Sequence, residues 1–98
     1  MDDRLAAVTR EIEELLETPS SGSDAPSPER VENTLTTGYA QALELEARRA
    51  RLERRIGEEA AATEPSLPEL SALSTERSLA DRELSRLRGL LESLRRRV

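Results

Sequence analysis

Asp81, Ser85, Arg88 and Glu92 follow one another at steps of 4, 3 and 4, the spacing that puts side chains along one edge of a helix. Each comes one residue after an apolar position (Ala80, Leu84, Leu87, Leu91), so this polar edge flanks a buried seam. By default, carboxylates, a hydroxyl and a guanidinium at that spacing pair with one another along a solvated flank. Carboxylates abound elsewhere too, but the chain has no Cys, no His, no Phe and no Trp, and Tyr39 is its one aromatic. Cysteine nucleophiles, disulfides and the usual zinc ligand sets are thereby excluded. Without pocket-forming side chains the acids are surface charge, so the sequence predicts no catalytic residue, no metal site and no enzyme.

The other candidate chemistry is a cation inside an apolar seam. Arg49 and Arg77 occupy seam positions on two different helices. Their stems can pack while the guanidinium heads reach water, fixing register, or the pair can receive an anion or a partner's carboxylate.

These residues need long helices to carry them. Leu70, Leu73, Arg77, Ala80, Leu84, Leu87, Leu91, Leu94 and Val98 run at alternating steps of 3 and 4, the heptad seam of a helix lying along another helix. Upstream, Val31, Leu35, Gly38, Ala42, Leu45, Arg49, Leu52 and Ile56 do the same. Paired as Ile56/Leu73, Leu52/Arg77, Arg49/Ala80, Leu45/Leu84, Ala42/Leu87, Gly38/Leu91, Leu35/Leu94 and Val31/Val98, the two seams hold a constant index sum of 129. That constancy predicts an antiparallel hairpin turning near residues 62–65. Ser27-Pro28 starts its first helix, an N-cap acceptor followed by a ring with φ already set, and the pattern carries that helix to about Ala61. Thr34, Thr36, Thr37 and Gly38 weaken its upstream end, and Gly38 leaves room for a kink or a close third helix. Ser66-Leu67-Pro68-Glu69 reads as a capping box for the second helix, with Ser66 and Glu69 each satisfying a free amide.

Before the hairpin, residues 1–17 contain a short amphipathic helix running from 2 to 17, with Leu5, Val8, Ile12 and Leu15 on its apolar stripe and Leu16 widening it. Asp2 and Asp3 suit its positive end, and Pro19 stops it. Residues 18–27 are a flexible Ser/Gly/Pro linker spanning roughly 16–19 Å, enough for the helix to fold back. The expected fold is therefore all-α: an antiparallel two-helix coiled-coil hairpin over 28–98 with a short N-terminal helix, closed as a three-helix bundle or paired as a helical dimer. Tyr39, Leu43 and Ala50 form a second, weaker apolar line beside the seam, where either residues 5–16 pack or another protein docks.

With 98 residues and hardly an aromatic, burial is mostly leucine on leucine, each worth roughly 1.5–3 kcal/mol. Two helices alone are then marginal; dimerisation, a third helix or a partner must add to them. Charged residues make up 36% of the chain, with a net charge of −5 and all fifteen basic residues arginine. Residues 1–30 hold eight acids and three arginines, and residues 65–98 five acids and seven arginines. A net acidic chain without aromatic–basic interleaving predicts no direct nucleic-acid binding. The basic end has two natural counterparts, an acidic partner or the chain's own acidic N-terminus. No stretch approaches the ~20 apolar residues that span a bilayer, and Asp2 and Asp3 stand where a signal peptide is basic. The expectation is a cytoplasmic protein with no membrane contact.

Leu67-Pro68-Glu69-Leu70 followed by Asp81-x3-Ser85-x2-Arg88-x3-Glu92 resembles the RsiG-like family, anti-sigma proteins of sporulating actinobacteria built as helical hairpins. Their signature is Glu-x3-Ser-x2-Arg-x3-Gln-x3-Asp on a coiled-coil helix. Ser85 and Arg88 match it, Asp81 stands for Glu, Glu92 for Gln, and Arg96 replaces the last Asp with reversed charge. The resemblance covers about 30 of the 98 residues. It implies a sigma factor as partner and cyclic di-GMP as a ligand met by Asp81, Ser85, Arg88 and Glu92; composition alone asks for no cofactor.

Three functions fit these readings. The first is a non-enzymatic protein–protein interaction module, anti-sigma-like, meeting its partner through Leu5, Val8, Ile12, Leu15, Tyr39 and Leu43. The second is a self-associating coiled-coil scaffold or export-chaperone-like adaptor that forms homodimers. The third is the first gated by cyclic di-GMP clamped between two hairpins.

Overall fold

The computed structural model describes residues 3–97. Those residues form three helices and no strand: α1 spans Asp3–Glu17, α2 Pro28–Ala60 and α3 Leu67–Arg95. The fold is the expected antiparallel helical hairpin, α2 and α3, preceded by a short N-terminal helix. Expectations resting on Asp2 and Val98, the helix start at residue 2 and the Val31/Val98 layer, lie outside the described residues. The chain divides into two compact units, Met1–Ala42 with Arg86–Val98, and Leu43–Ser85.

In the first unit three helices converge. Leu5, Val8, Ile12 and Leu15 of α1 are buried, with Val31, Thr34, Gly38, Gln41 and Ala42 of α2 and Leu87, Leu91 and Leu94 of α3. Gly38 is the pivot. A Cβ there would overlap Leu91 Cδ2, and it would lie 3.6 Å from Ile12 Cδ1. The missing side chain lets the seam leucine of α3 and the stripe isoleucine of α1 reach the same patch of backbone. The Gly38/Leu91 layer therefore stands as the index sum required, and α1 closes this unit as a third helix.

Of the two outcomes that Gly38 left open, a kink or a close third helix, the structure shows the second. The helix runs unbroken through Thr34, Thr36, Thr37 and Gly38, because burial of Thr34 and Gly38 outweighs poor local propensity. Thr34 donates its hydroxyl to the carbonyl of Arg30 at 2.9 Å, leaving its methyl for packing.

The seat of α1 also differs from the apolar line suggested by sequence. Tyr39 and Leu43 are 42% and 65% exposed, and Ala50 is exposed as well, so α1 does not cover them. It lies instead on the Thr34–Gln41 side of α2. Thr34 and Gln41 are buried there, and Arg30 reaches Glu11 at 2.7 Å. The physical reason is size: Thr and Gly beside the seam allow a close approach, whereas Tyr39 and Leu43 would hold a helix off.

The second unit is the hairpin tip. Leu52, Leu73 and Ala80 form a buried cluster with Ile56 packed against it, and Leu45 and Leu84 are buried as well. Both helix starts are capped by serine: Arg30 N donates to Ser27 Oγ at 3.1 Å, and Glu69 N to Ser66 Oγ at 3.2 Å. The capping box at Ser66 is only half made within its own residues. Ser66 N donates to Glu59 Oε1 of α2 at 2.7 Å, while Glu69 turns to Arg55 at 3.2 Å. The reciprocal contact thus crosses the turn and ties the two helix ends together.

Two measurements check this packing. Leu84→Ala should cost about 2–5 kcal/mol in urea unfolding, whereas Leu79→Ala, at a half-exposed position, should stay within about 0.5 kcal/mol. Gly38→Leu should lose about 1–3 kcal/mol by overpacking. Gly38→Ala should lose clearly less, since roughly 1 kcal/mol of helix propensity offsets the shift demanded of Leu91.

Candidate functional site

Asp81 is the residue on which the hairpin's cations converge. In the second unit, Arg49 of α2 reaches Asp81 Oδ1 at 3.4 Å. Arg77, one turn earlier on α3, reaches Oδ2 at 3.6 Å, and the same Arg77 Nε lies 3.6 Å from Glu53 of α2. The result is a chain of alternating charge, Arg49–Asp81–Arg77–Glu53, laced across the seam. Arg77 occupies a seam position by spacing, yet its side chain is about half exposed. The head meets the carboxylates of Glu53 and Asp81, as expected of a long cation in an apolar seam. The seam arginines are therefore neutralised by the chain's own acids. Because the groups are a third to a half exposed, each pair is worth no more than about 1 kcal/mol. What the network supplies is register: it is satisfied only when α2 and α3 are paired at this offset.

The remaining residues of the polar edge are placed as follows. Ser85 is exposed in the second unit. In the first unit Arg88 and Glu92 are exposed, and Glu92 pairs with Arg96 at 3.6 Å. The charge that departs from the RsiG-like signature, Arg96, thus answers the acid one turn before it, an i,i+4 pair along a solvated flank. Of the four residues of the candidate edge, one is held by two arginines and one by its own helix neighbour.

The residues assigned to a partner separate into two groups. Leu5, Val8, Ile12 and Leu15 are buried inside the first unit, so another protein meets them only if α1 leaves its seat. Tyr39 of the first unit and Leu43 of the second are exposed as the chain stands.

What holds α1 was only partly visible in sequence. Arg30 Nε and its terminal nitrogen both address Glu11 Oε1, at 2.8 and 2.7 Å, with Glu14 at 4.0 Å. On the opposite flank Arg86 of α3 pairs with Glu13 at 3.1 Å. At the end of α1, Arg97 donates to the carbonyl of Leu15 at 2.6 Å and to that of Thr18, and Thr18 also donates its hydroxyl to Leu15 O. A cation at unsatisfied terminal carbonyls suits the negative end of a helix. The basic end of the chain thus meets its own acidic N-terminal helix. The charge asymmetry hinted at that meeting, but neither the partners nor the buried polar Thr9, Thr34 and Gln41 could be read from apolar spacing.

Beside α1, along α2, runs an open cleft of about 590 Å³ bordered by Val8, Glu11, Arg30, Thr34 and Gln41. Among the described residues no helix is long and apolar enough to cross a membrane.

Asp81→Asn tests the network. Thermal unfolding should show a loss of at most about 2 kcal/mol, two pairs being broken, and the variant should respond less than the parent chain when ionic strength is raised. A parent chain already indifferent to salt would count against the network. When the chain is compared with protein-family models, with curated proteins and with solved structures, nothing matches, so the functional reading rests on the residues above.

Proposed function

We propose that this chain is a non-enzymatic protein–protein interaction module, a helical hairpin that binds another protein through side chains left outside its cores. The observation that carries this reading is the exposure of Tyr39 and Leu43. The other large apolar residues of α2, namely Val31, Leu35, Leu45, Leu52 and Ile56, are buried or half-buried. An exposed tyrosine supplies large, rigid, amphipathic contact area, and such residues dominate binding energies at interfaces. The finer reading is an anti-sigma-like regulator whose partner is a sigma factor. Its support is the resemblance of residues 67–96 to the RsiG-like signature, carried on a helix of the kind that signature requires.

Capture from the native host by the tagged chain, followed by mass spectrometry, tests both levels. A regulator should be recovered, and Tyr39→Ala and Leu43→Ala should each weaken its capture by about tenfold or more while leaving helicity unchanged. Recovery of a sigma factor establishes the finer reading, and recovery of no regulator rejects it.

A self-associating scaffold is the second reading, favoured by the exposure of Leu67 and Leu79 in the second unit. Light scattering at micromolar concentration decides it: a strict monomer removes that reading, and a stable dimer promotes it over the first. Calorimetry with cyclic di-GMP addresses the ligand-gated form. No saturable heat is expected, because Asp81 is engaged by Arg49 and Arg77; heat that disappears in Arg88→Ala would install the nucleotide as a ligand.

A further inference from the structure

In the first unit α1 is a separate, acidic, amphipathic helix lying in a groove made by α2 and α3. Three features describe how the groove recognises it. The floor is apolar, formed by Val31, Gly38, Leu87, Leu91 and Leu94, and Ile12 rests in van der Waals reach of Gly38. The two walls are basic: Arg30 on α2 takes Glu11 and Glu14, and Arg86 on α3 takes Glu13. One end carries Arg97, which receives the last carbonyls of the bound helix. A groove with arginines on both walls and a cation at the C-terminal end selects a helix with an apolar i, i+3, i+7, i+10 stripe flanked by glutamates.

α1 is the shortest of the three helices, and its apolar stripe is flanked by polar contacts. Its 15 residues are near the length at which a helix is marginal by itself. The residues buried around it include the polar Thr9, Thr34 and Gln41, whereas the buried seam of α3 is apolar throughout. Its ion pairs are half-exposed, an open cleft runs beside it, and the chain leading from it is the Ser/Gly/Pro segment 18–27. Solvent-facing polar contacts and an unbraced connecting segment mark a helix that opens before the rest of a fold does.

We propose that this groove is a docking site for an acidic amphipathic helix of a partner protein, with α1 as its built-in occupant. Binding in trans requires α1 to leave, so the partner competes with a tethered helix present at high effective concentration. The site is distinct from the surface of Tyr39 and Leu43 and does not depend on it.

The probe is a fluorescein-labelled peptide with the sequence of residues 3–17, titrated into the full-length chain and followed by anisotropy. In the Ile12→Asp chain, where the internal helix has lost its fully buried stripe residue, the peptide should bind saturably and at least about tenfold more tightly than to the parent chain. Adding Arg30→Glu and Arg86→Glu to that chain should weaken binding about tenfold or more. A peptide carrying Glu11→Arg and Glu13→Arg should recover the loss. Absence of saturable binding to an Ile12→Asp chain that keeps its helicity overturns the proposal, as does binding indifferent to the charge reversals. Concentration-dependent dimers exchanging α1, seen by light scattering, would give the groove to a second copy and overturn the partner reading. Hydrogen exchange on the unaltered chain keeps the test independent of how the variant folds: α1 amides should exchange ahead of those at Leu87–Leu94. Exchange of both sets together would show that α1 never leaves on its own and would reject the idea. None of these results involves Tyr39 or Leu43, so failure here leaves the proposed function standing.

Discussion

At Gly38 the backbone of α2 is bare, and Leu91 occupies the space a Cβ would take, with Ile12 in van der Waals reach of the same point. This close approach is the constraint on which the first unit depends. A chain with a single aromatic residue cannot fill wide interhelical gaps, so its helices must come close together and its leucines must interdigitate near the backbone. Small residues at the contact do what bulky ones do in a larger core. They shorten the distance instead of filling it.

Charge then decides how the closely spaced helices are aligned. The arginines of the second unit meet acids across the seam, Arg49 with Asp81, Arg55 with Glu69 and Arg77 with Glu53. In the first unit Arg30 and Arg86 meet the acids of α1. Singly these exposed pairs add little stability. A leucine seam tolerates sliding by a heptad, however, and a set of pairs that is satisfied at only one offset penalises every other register. The acid that the resemblance assigns to ligand recognition, Asp81, is part of this alignment device, whereas the arginine that departs from the signature, Arg96, pairs with Glu92 along its own segment.

The hairpin was legible because its signal is repeated. Leu84, Leu87, Leu91 and Leu94 are buried at the spacing that predicted them, and Gly38 meets Leu91 as their summed index required. The position of α1 was not legible, for a physical reason. Its seat is made of Thr34, Gly38 and Gln41, which register as polar or neutral in any hydropathy pattern, while the more apolar Tyr39 and Leu43 attract attention and remain uncovered. Thr34 becomes a packing residue only because its hydroxyl is spent on the Arg30 carbonyl, a local bond that composition does not announce. Glu59 taking the place of Glu69 at the Ser66 amide is a similar case, since the substitute comes from the far side of the turn. The candidate site divides in the same way: the shared edge of Asp81, Ser85, Arg88 and Glu92 follows from spacing, and the arginines that claim Asp81 do not.

The exposure of Tyr39 has an optical consequence. As the only aromatic ring in the chain and one open to solvent, it leaves the cores optically silent. Near-ultraviolet absorption and intrinsic emission will therefore change little when the leucine layers come apart. They will respond when something comes to rest on the outside of α2, which makes this chain a natural reporter of its own encounters.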